Sequence, residues 1–344
     1  MMDTKKMMFG VTLILGTWIS LSAETWMGAW VGLEMNLMSF IPLMINKENA
    51  FNSESGLKYF LIQAVASIIL LTGMGLSGVM GNYGLGSYTL GAEFLMLMSL
   101  MLKLGVAPFH SWFPEVSSGI SWSMNGILLT WQKLAPMGLM SSLFLSSSIF
   151  MNFFIMITMI VGGLGGLVQN SIKKILAYSS INHMGWMLMS LKLDINLWMM
   201  YYVIYCLLSI SMVMIFDMLE LNYLSQFSNI RNLELSTLLV VFMGMMSLGG
   251  LPPFMGFIPK WLVLDVMILN SEMFMSLLMV IMTLISLFYY LRLSFLLLIL
   301  NNELLKSLSL TNNLSGKYNM ILSLKALIIS FNLFGLIFSF WFIS

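Results

Sequence analysis

Apolar stretches of about twenty residues follow one another along nearly the whole chain, with short polar breaks between them. A helix of that length matches the hydrocarbon thickness of a bilayer. Only 8% of the residues are charged and 59% are hydrophobic, whereas a soluble domain carries roughly 25% charged residues. So little charge cannot cover the water-facing surface of a 344-residue chain. Lipid is then the solvent for most side chains. In lipid every exposed backbone N–H and C=O must be paired internally, which leaves helix bundles and closed barrels. The runs are continuous rather than alternating in ten-residue segments, and that selects helices. The expected fold class is all-α, a polytopic membrane bundle.

About eleven spans are expected, at 7–23, 26–45, 55–80, 89–118, 121–145, 149–169, 173–191, 195–221, 236–269, 273–299 and 320–343. Residues Met1 to Ala23 look like a secretory signal. A chain this apolar throughout needs no separate hydrophobic address, so the segment is read as a retained first helix. The fourth and ninth spans are too long for one straight helix, and each contains a breaker: Gly105-Val-Ala-Pro108 and Gly249-Gly-Leu-Pro-Pro253. Proline removes a backbone donor and clashes with the preceding turn, so both are expected to be discontinuous. Broken helices at matching places in two halves point to an inverted-repeat transporter. The expected organisation is one membrane domain over 1–344, with inverted five-helix repeats at 1–145 and 149–299 and an extra helix at 320–343.

Several functions are excluded. A single cysteine, Cys206, supports neither a disulfide nor an iron–sulfur cluster. Two histidines, His110 and His183, leave little basis for a bis-histidine haem. There is no nucleotide fingerprint, and a net charge of +1 gives no hint of nucleic acid. No cofactor and no metal are expected on this chain.

The chemistry is expected in four charges near mid-membrane: Glu34 in the second span, Lys103 before the first break, Lys133 in the fifth span and Lys260 after the second break. Each costs about 2.5–3.5 kcal/mol to insert. Such charges face a protein interior or a wet path and mark proton or ion routes. The bland alternatives are snorkelling of the lysines and a structural ion pair for Glu34. Burial disfavours the charged form of both residue types and pairing favours it, so Glu34 and Lys103 would titrate jointly. His110, just after the first break, either shuttles protons or braces the break. His183, among Ser179, Ser180 and Asn182, either lines a wet path or packs. Asp217 and Glu220 are expected to be solvated, and Glu93, Glu115 and Asp265 interfacial. The glycine run Gly162–Gly166 is expected to let helices pack closely.

Topology follows from charge. Eleven spans put Lys5, Lys6, Lys47, Lys58, Lys173, Lys174, Arg231, Lys306 and Lys317 on one side, with Arg292 and Lys325 near helix ends, and Lys192 alone on the other. The positive-inside rule places the amino terminus on the inner side.

Four motifs, in this order, carry a resemblance: Trp30-Val-Gly-Leu-Glu-Met-Asn36, Lys103-Leu-Gly-Val-Ala-Pro-Phe-His-Ser-Trp-Phe-Pro-Glu115, Trp131-Gln-Lys-Leu-Ala-Pro136 and Ser247-Leu-Gly-Gly-Leu-Pro-Pro-Phe-Met-Gly-Phe-Ile-Pro-Lys-Trp261. The chain resembles the antiporter-like proton-translocating membrane subunits of respiratory complex I (NADH:ubiquinone oxidoreductase), in their animal mitochondrial form. Bacterial relatives carry three additional amino-terminal spans that this chain lacks. The 37 methionines exceed what packing requires and fit the codon supply of AT-rich animal mitochondrial genomes.

The resemblance implies a core membrane subunit that moves protons while NADH-to-ubiquinone electron transfer proceeds elsewhere in the complex. Glu34 and Lys103 would form the first half-channel pair, Lys133 the central lysine and Lys260 that of the second half. His110 matches a histidine after the first break. FMN, iron–sulfur clusters and ubiquinone would lie on other subunits. Partners would be other membrane and accessory subunits, including a neighbouring antiporter-like one, and membrane lipids. The implied location is the mitochondrial inner membrane, with the amino terminus in the matrix and the carboxyl terminus in the intermembrane space. Two other readings stay open: a stand-alone cation/proton antiporter, and a passive scaffold whose lysines merely pair.

Overall fold

The periodless apolar runs do become helices. A computed structural model describes residues 4–45, 50–82, 89–143, 148–229 and 235–302. Among them the secondary structure is helical, apart from one isolated antiparallel bridge between Ser171 and Tyr223. The eleventh expected span, 320–343, and Lys47, Arg231, Lys306, Lys317 and Lys325 lie outside the described residues.

The chain divides into two units at Thr158/Met159. The first contains α1 (Thr4–Ser22), α2 (Trp26–Met44), α3 (Ala50–Asn82), α4 (Thr89–Leu104), α5 (Trp112–Gly119), α6 (Trp122–Leu129) and α7 (Trp131–Ser141). The boundary falls inside α8 (Ser148–Gly165). The second unit contains α9 (Ile172–Leu193), α10 (Ile195–Met218), a 3-10 turn (Leu224–Asn229), α11 (Leu235–Gly249), α12 (Phe257–Leu269) and α13 (Met273–Asn302).

Local signals start several of these helices. The Thr25 hydroxyl caps α2 by accepting from the Gly28 N–H at 3.3 Å, and Asp194 caps α10 by accepting from the Asn196 N–H at 3.2 Å. In the first unit α1 lies along α2, α3 along α4, and α7 against α4 and α1. The α1–α2 approach is backbone to backbone: a Cβ at Gly32 would lie 2.5 Å from the Ser20 nitrogen. In the second unit α9 packs on α10, and α11 on α13 and α10. A Cβ at Gly162 would sit 2.5 Å from the Asn182 nitrogen, so the glycine run serves close packing, as expected.

Large apolar side chains point outward on α1 (Met8, Val11, Trp18), α3 (Leu61, Val65, Ile68), α10 (Met199, Val203, Leu207) and α13 (Leu277, Leu284, Phe288). Of the described helices, three are individually long and apolar enough to cross a bilayer: α3, α10 and α13. The fourth and ninth expected spans are each two half-helices, α4 with α5 and α11 with α12. The fifth corrects the sequence reading. It was expected as one helix over 121–145, but it is interrupted at Thr130, between α6 and α7. The Thr130 hydroxyl donates to the Gly126 carbonyl at 2.7 Å, a local bond that competes with the helical ladder. Pro136 further on in α7 supplies no N–H for that ladder.

Candidate functional site

Both expected breaks are made by the same device. At the end of α4, Gly105 takes φ +71°, its N–H donates to Leu102 and the Val106 N–H reaches back to Met101 at 3.0 Å. At the end of α11, Gly250 takes φ +79°, its N–H donates to Ser247 and the Leu251 N–H reaches back to Met246 at 3.3 Å. This pair of bonds is the Schellman stop, which needs a residue tolerant of positive φ. Prolines at 108, 252 and 253 prevent the helix from resuming at once.

The stop satisfies two of the last carbonyls and leaves the final two exposed. In the second unit those are Leu248 and Gly249, and the Lys260 ammonium reaches back from α12 to donate to both, at 3.4 and 2.8 Å. A cation at a helix C-terminus is also favoured by the helix dipole. In the first unit one of the equivalent carbonyls, that of Lys103 itself, accepts from the Gln63 side-chain amide at 3.1 Å. The two breaks are therefore braced by different chemistry: a neutral amide in one and a titratable ammonium in the other.

The lysines singled out by sequence are all interior. Lys103 is 7% exposed, Lys133 2% and Lys260 6%. None reaches out to solvent or lipid as a snorkelling side chain would. Lys103 lies in the last turn of α4. Lys133 lies three residues past the Thr130 interruption, with its ammonium 5.5 Å from the centre of the Phe113 ring on α5. That distance is within cation–π range.

Glu34 is partly buried on α2, and its Oε1 is enclosed without a hydrogen-bond donor. It does not touch Lys103 as an ion pair. His110 is half-buried, and its Nδ1 sits 3.2 Å from the Pro108 carbonyl. A carbonyl only accepts, so Nδ1 carries the hydrogen there. That contact is the bracing arrangement, and it leaves Nε2 as the nitrogen open to other partners.

Sequence reasoning left several polar residues out of the site set. In the first unit the Tyr59 hydroxyl donates to Gln132 Oε1 at 3.3 Å, and Gln132 Nε2 donates to Asn36 Oδ1 at 3.0 Å. Tyr59 and Asn36 are buried. In the second unit buried His183 is hydrogen-bonded through Nδ1 to the Tyr201 hydroxyl at 2.8 Å, with the Tyr205 ring 5.1 Å away. The serine neighbours of His183 were a visible signal; the tyrosines on α10 were not, because only tertiary packing brings them there. Glu115 is exposed and ion-paired to Lys58 at 2.9 Å, and Asp217, Glu220 and Asp265 are exposed.

Comparison with known proteins bears on the family and the fold. The family profile described as "NADH:quinone oxidoreductase/Mrp antiporter, TM" matches residues 23–286. The chain is 46% identical over 317 residues to NADH-ubiquinone oxidoreductase chain 2 of Anopheles gambiae, covering 91% of each chain. It superposes on a chain of respiratory complex I from Thermus thermophilus with a TM-score of 0.82 and 23% identity, covering 97% of this chain and 78% of that one. A chain of the Mrp complex from Dietzia sp. superposes with a TM-score of 0.76 and 19% identity, covering 83% of this chain and 59% of that one. These two likenesses speak to the fold.

Proposed function

The chain belongs to the membrane family of NADH:quinone oxidoreductases and Mrp antiporters, and from that premise we propose that it is the chain 2 membrane subunit of a proton-translocating NADH:ubiquinone oxidoreductase. The observation that carries this reading is the seclusion of Lys103, Lys133 and Lys260, each at or just beyond a helix interruption. Interrupted helices offer unpaired backbone groups that can hold water inside a membrane protein. Interior lysines beside such groups are suited to taking up and passing on protons.

In this reading a change near Glu34 alters how tightly Lys103 holds its proton, because an opposite charge nearby favours the charged form of a lysine. The proton then passes to Lys133 and on to Lys260, from the matrix to the intermembrane space. His110 contributes through its free Nε2. The chain crosses the inner membrane about eleven times, as inverted repeats over 1–145 and 149–299 with a further helix at 320–343. It has no cofactor of its own. FMN, iron–sulfur clusters and ubiquinone are held elsewhere in the complex, and neighbouring membrane subunits and lipids cover its apolar flanks.

Substituting Lys103→Met or Lys133→Met in the assembled enzyme decides between transport and scaffold. Proton pumping in proteoliposomes is expected to fall by about a hundredfold or more, in the range of ~10²–10⁴ that a positioned proton-transfer group contributes. Full pumping in both variants would leave the lysines as packing. The resemblance to an Mrp chain keeps one other reading in view. Sodium-for-proton exchange by the isolated chain in vesicles would favour it.

A further inference from the structure

One face of α3 touches the three helices that carry Glu34, Lys103 and Lys133, namely α2, α4 and α7. Tyr59 and Gln63 are one helical turn apart and so project side by side. Gln63 donates to the Lys103 carbonyl at 3.1 Å and thereby occupies one of the carbonyls that the α4 stop leaves open. Tyr59 donates to Gln132, the residue before Lys133. Gln132 in turn donates to Asn36, two residues past Glu34. The Tyr59 ring is held between Phe40 of α2, at 5.4 Å, and Trp112 of α5, at 5.8 Å. Tyr59, Gln63 and Asn36 are all buried.

Donor accounting says what this arrangement can do. A tyrosine has one O–H to give, and here it goes to Gln132. The oxygen's remaining lone pairs only accept. They suit an ammonium or a protonated water, and they offer nothing to a carboxylate such as that of Glu34. An amide donates at one end and accepts at the other, so Gln132 passes no proton without changing tautomer. The bridge therefore orients groups rather than conducting. Its donor direction is also fixed, because Asn36 Oδ1 and Gln132 Oε1 both accept.

We propose that Tyr59 and Gln63, with Gln132 and Asn36, are positioning residues that set the spacing between the Glu34–Lys103 region and Lys133 for the first proton transfer. The inference rests on the proton-translocation reading above. Asn36 and Gln132 stand inside two of the sequence motifs without a role assigned to them there, and Tyr59 and Gln63 are ordinary polar side chains on an apolar helix; the alignment of the four exists only in the packed unit.

The experiment is Tyr59→Phe in the assembled complex, which keeps both ring contacts and deletes the O–H. Gln132→Met, which conserves volume and deletes the bridge, is its companion should the first variant fail to assemble. The readouts are NADH:ubiquinone turnover, KM for ubiquinone and proton flux in proteoliposomes, with Lys103→Met and Lys133→Met alongside. Coupled turnover and proton flux are expected to fall about tenfold with KM unchanged, since misplacing a reacting group by an ångström costs up to ~10²-fold. A role confined to assembly would lower enzyme content and leave turnover per assembled complex at the parent value. That result, with both lysine variants inactive, overturns the positioning role and leaves the transport reading standing. Parent activity in the lysine variants as well would remove the transport reading and this inference with it.

Discussion

Lys260 does two jobs that can be separated by chemistry. Its ammonium closes the end of α11 by bonding Leu248 and Gly249, and in the proposed function it also accepts and releases a proton. Arginine stays charged at any accessible pH and presents several donors, so Lys260→Arg should keep the cap and lose the transfer. Lys260→Met should lose both. Each carbonyl left buried and unpaired costs about 1–3 kcal/mol, which exposes the break to local opening. Hydrogen–deuterium exchange of amides 249–257 is therefore expected to stay slow in the arginine variant and to quicken in the methionine variant, while both lose pumping. If the arginine variant pumps at the parent rate, Lys260 is a cap and no carrier.

Across elements, the two breaks share a register that motif reading passed over. Gly105, Pro108, Phe109 and Pro114 correspond in order to Gly250, Pro253, Phe254 and Pro259, and the same Schellman bonds close α4 and α11. In that alignment Glu115 stands where Lys260 stands. One forms an exposed ion pair with Lys58 and the other a buried cap. The shared glycines are not equally replaceable. An L-residue at positive φ costs roughly 1–2 kcal/mol, and that applies to both. A Cβ at Gly250 would also come 2.8 Å from Lys260 Cδ and Nζ, whereas one at Gly105 meets Phe113 Cβ at 3.1 Å. Gly105→Ala should lower thermal stability modestly and spare pumping. Gly250→Ala should lower both, because it displaces the lysine. Equal effects on pumping would mean that the Lys260 geometry is unimportant.

The same comparison shows why some of the site was legible and some was not. Glycine and proline inside long apolar runs announce the two breaks, and a lysine in such a run announces itself by its cost. The interruption at Thr130 carries no such mark, because threonine is tolerated in membrane helices and acts here through one hydroxyl bond to Gly126. The Tyr59–Gln132–Asn36 bridge and the Gln63 brace depend on contacts between distant parts of the chain, which periodicity cannot reveal. The resemblance also implies a Glu34–Lys103 pair, and nothing in the sequence says whether the two side chains touch.

At the scale of the molecule, the helix ends themselves test the alternation of spans. Within the first unit Lys58 near the start of α3 meets Glu115 of α5, and both are assigned to the inner side. Within the second, Ser171 pairs with Tyr223 and Arg292 donates to the Leu167 carbonyl at 3.1 Å; these four positions are also assigned to the inner side. Lys192 and Glu272, assigned to the outer side, form an ion pair at the opposite ends of α9 and α13. An odd error in counting the spans between the members of such a pair would have put them on different faces. Absolute orientation rests on the positive-inside excess alone, so it calls for direct labelling. In a Cys206→Ser background, Ser53→Cys and Asn270→Cys place single thiols at exposed positions before α3 is well under way and after α12 ends. An impermeant maleimide applied to sealed mitoplasts should modify position 270 at once and position 53 only after the membrane is opened. The reverse order would turn the subunit over, sending protons from Lys103 toward Lys260 against the proposed direction. Labelling of both from one face would break the alternation between the third and ninth spans, and with it the inverted pairing of the two broken helices.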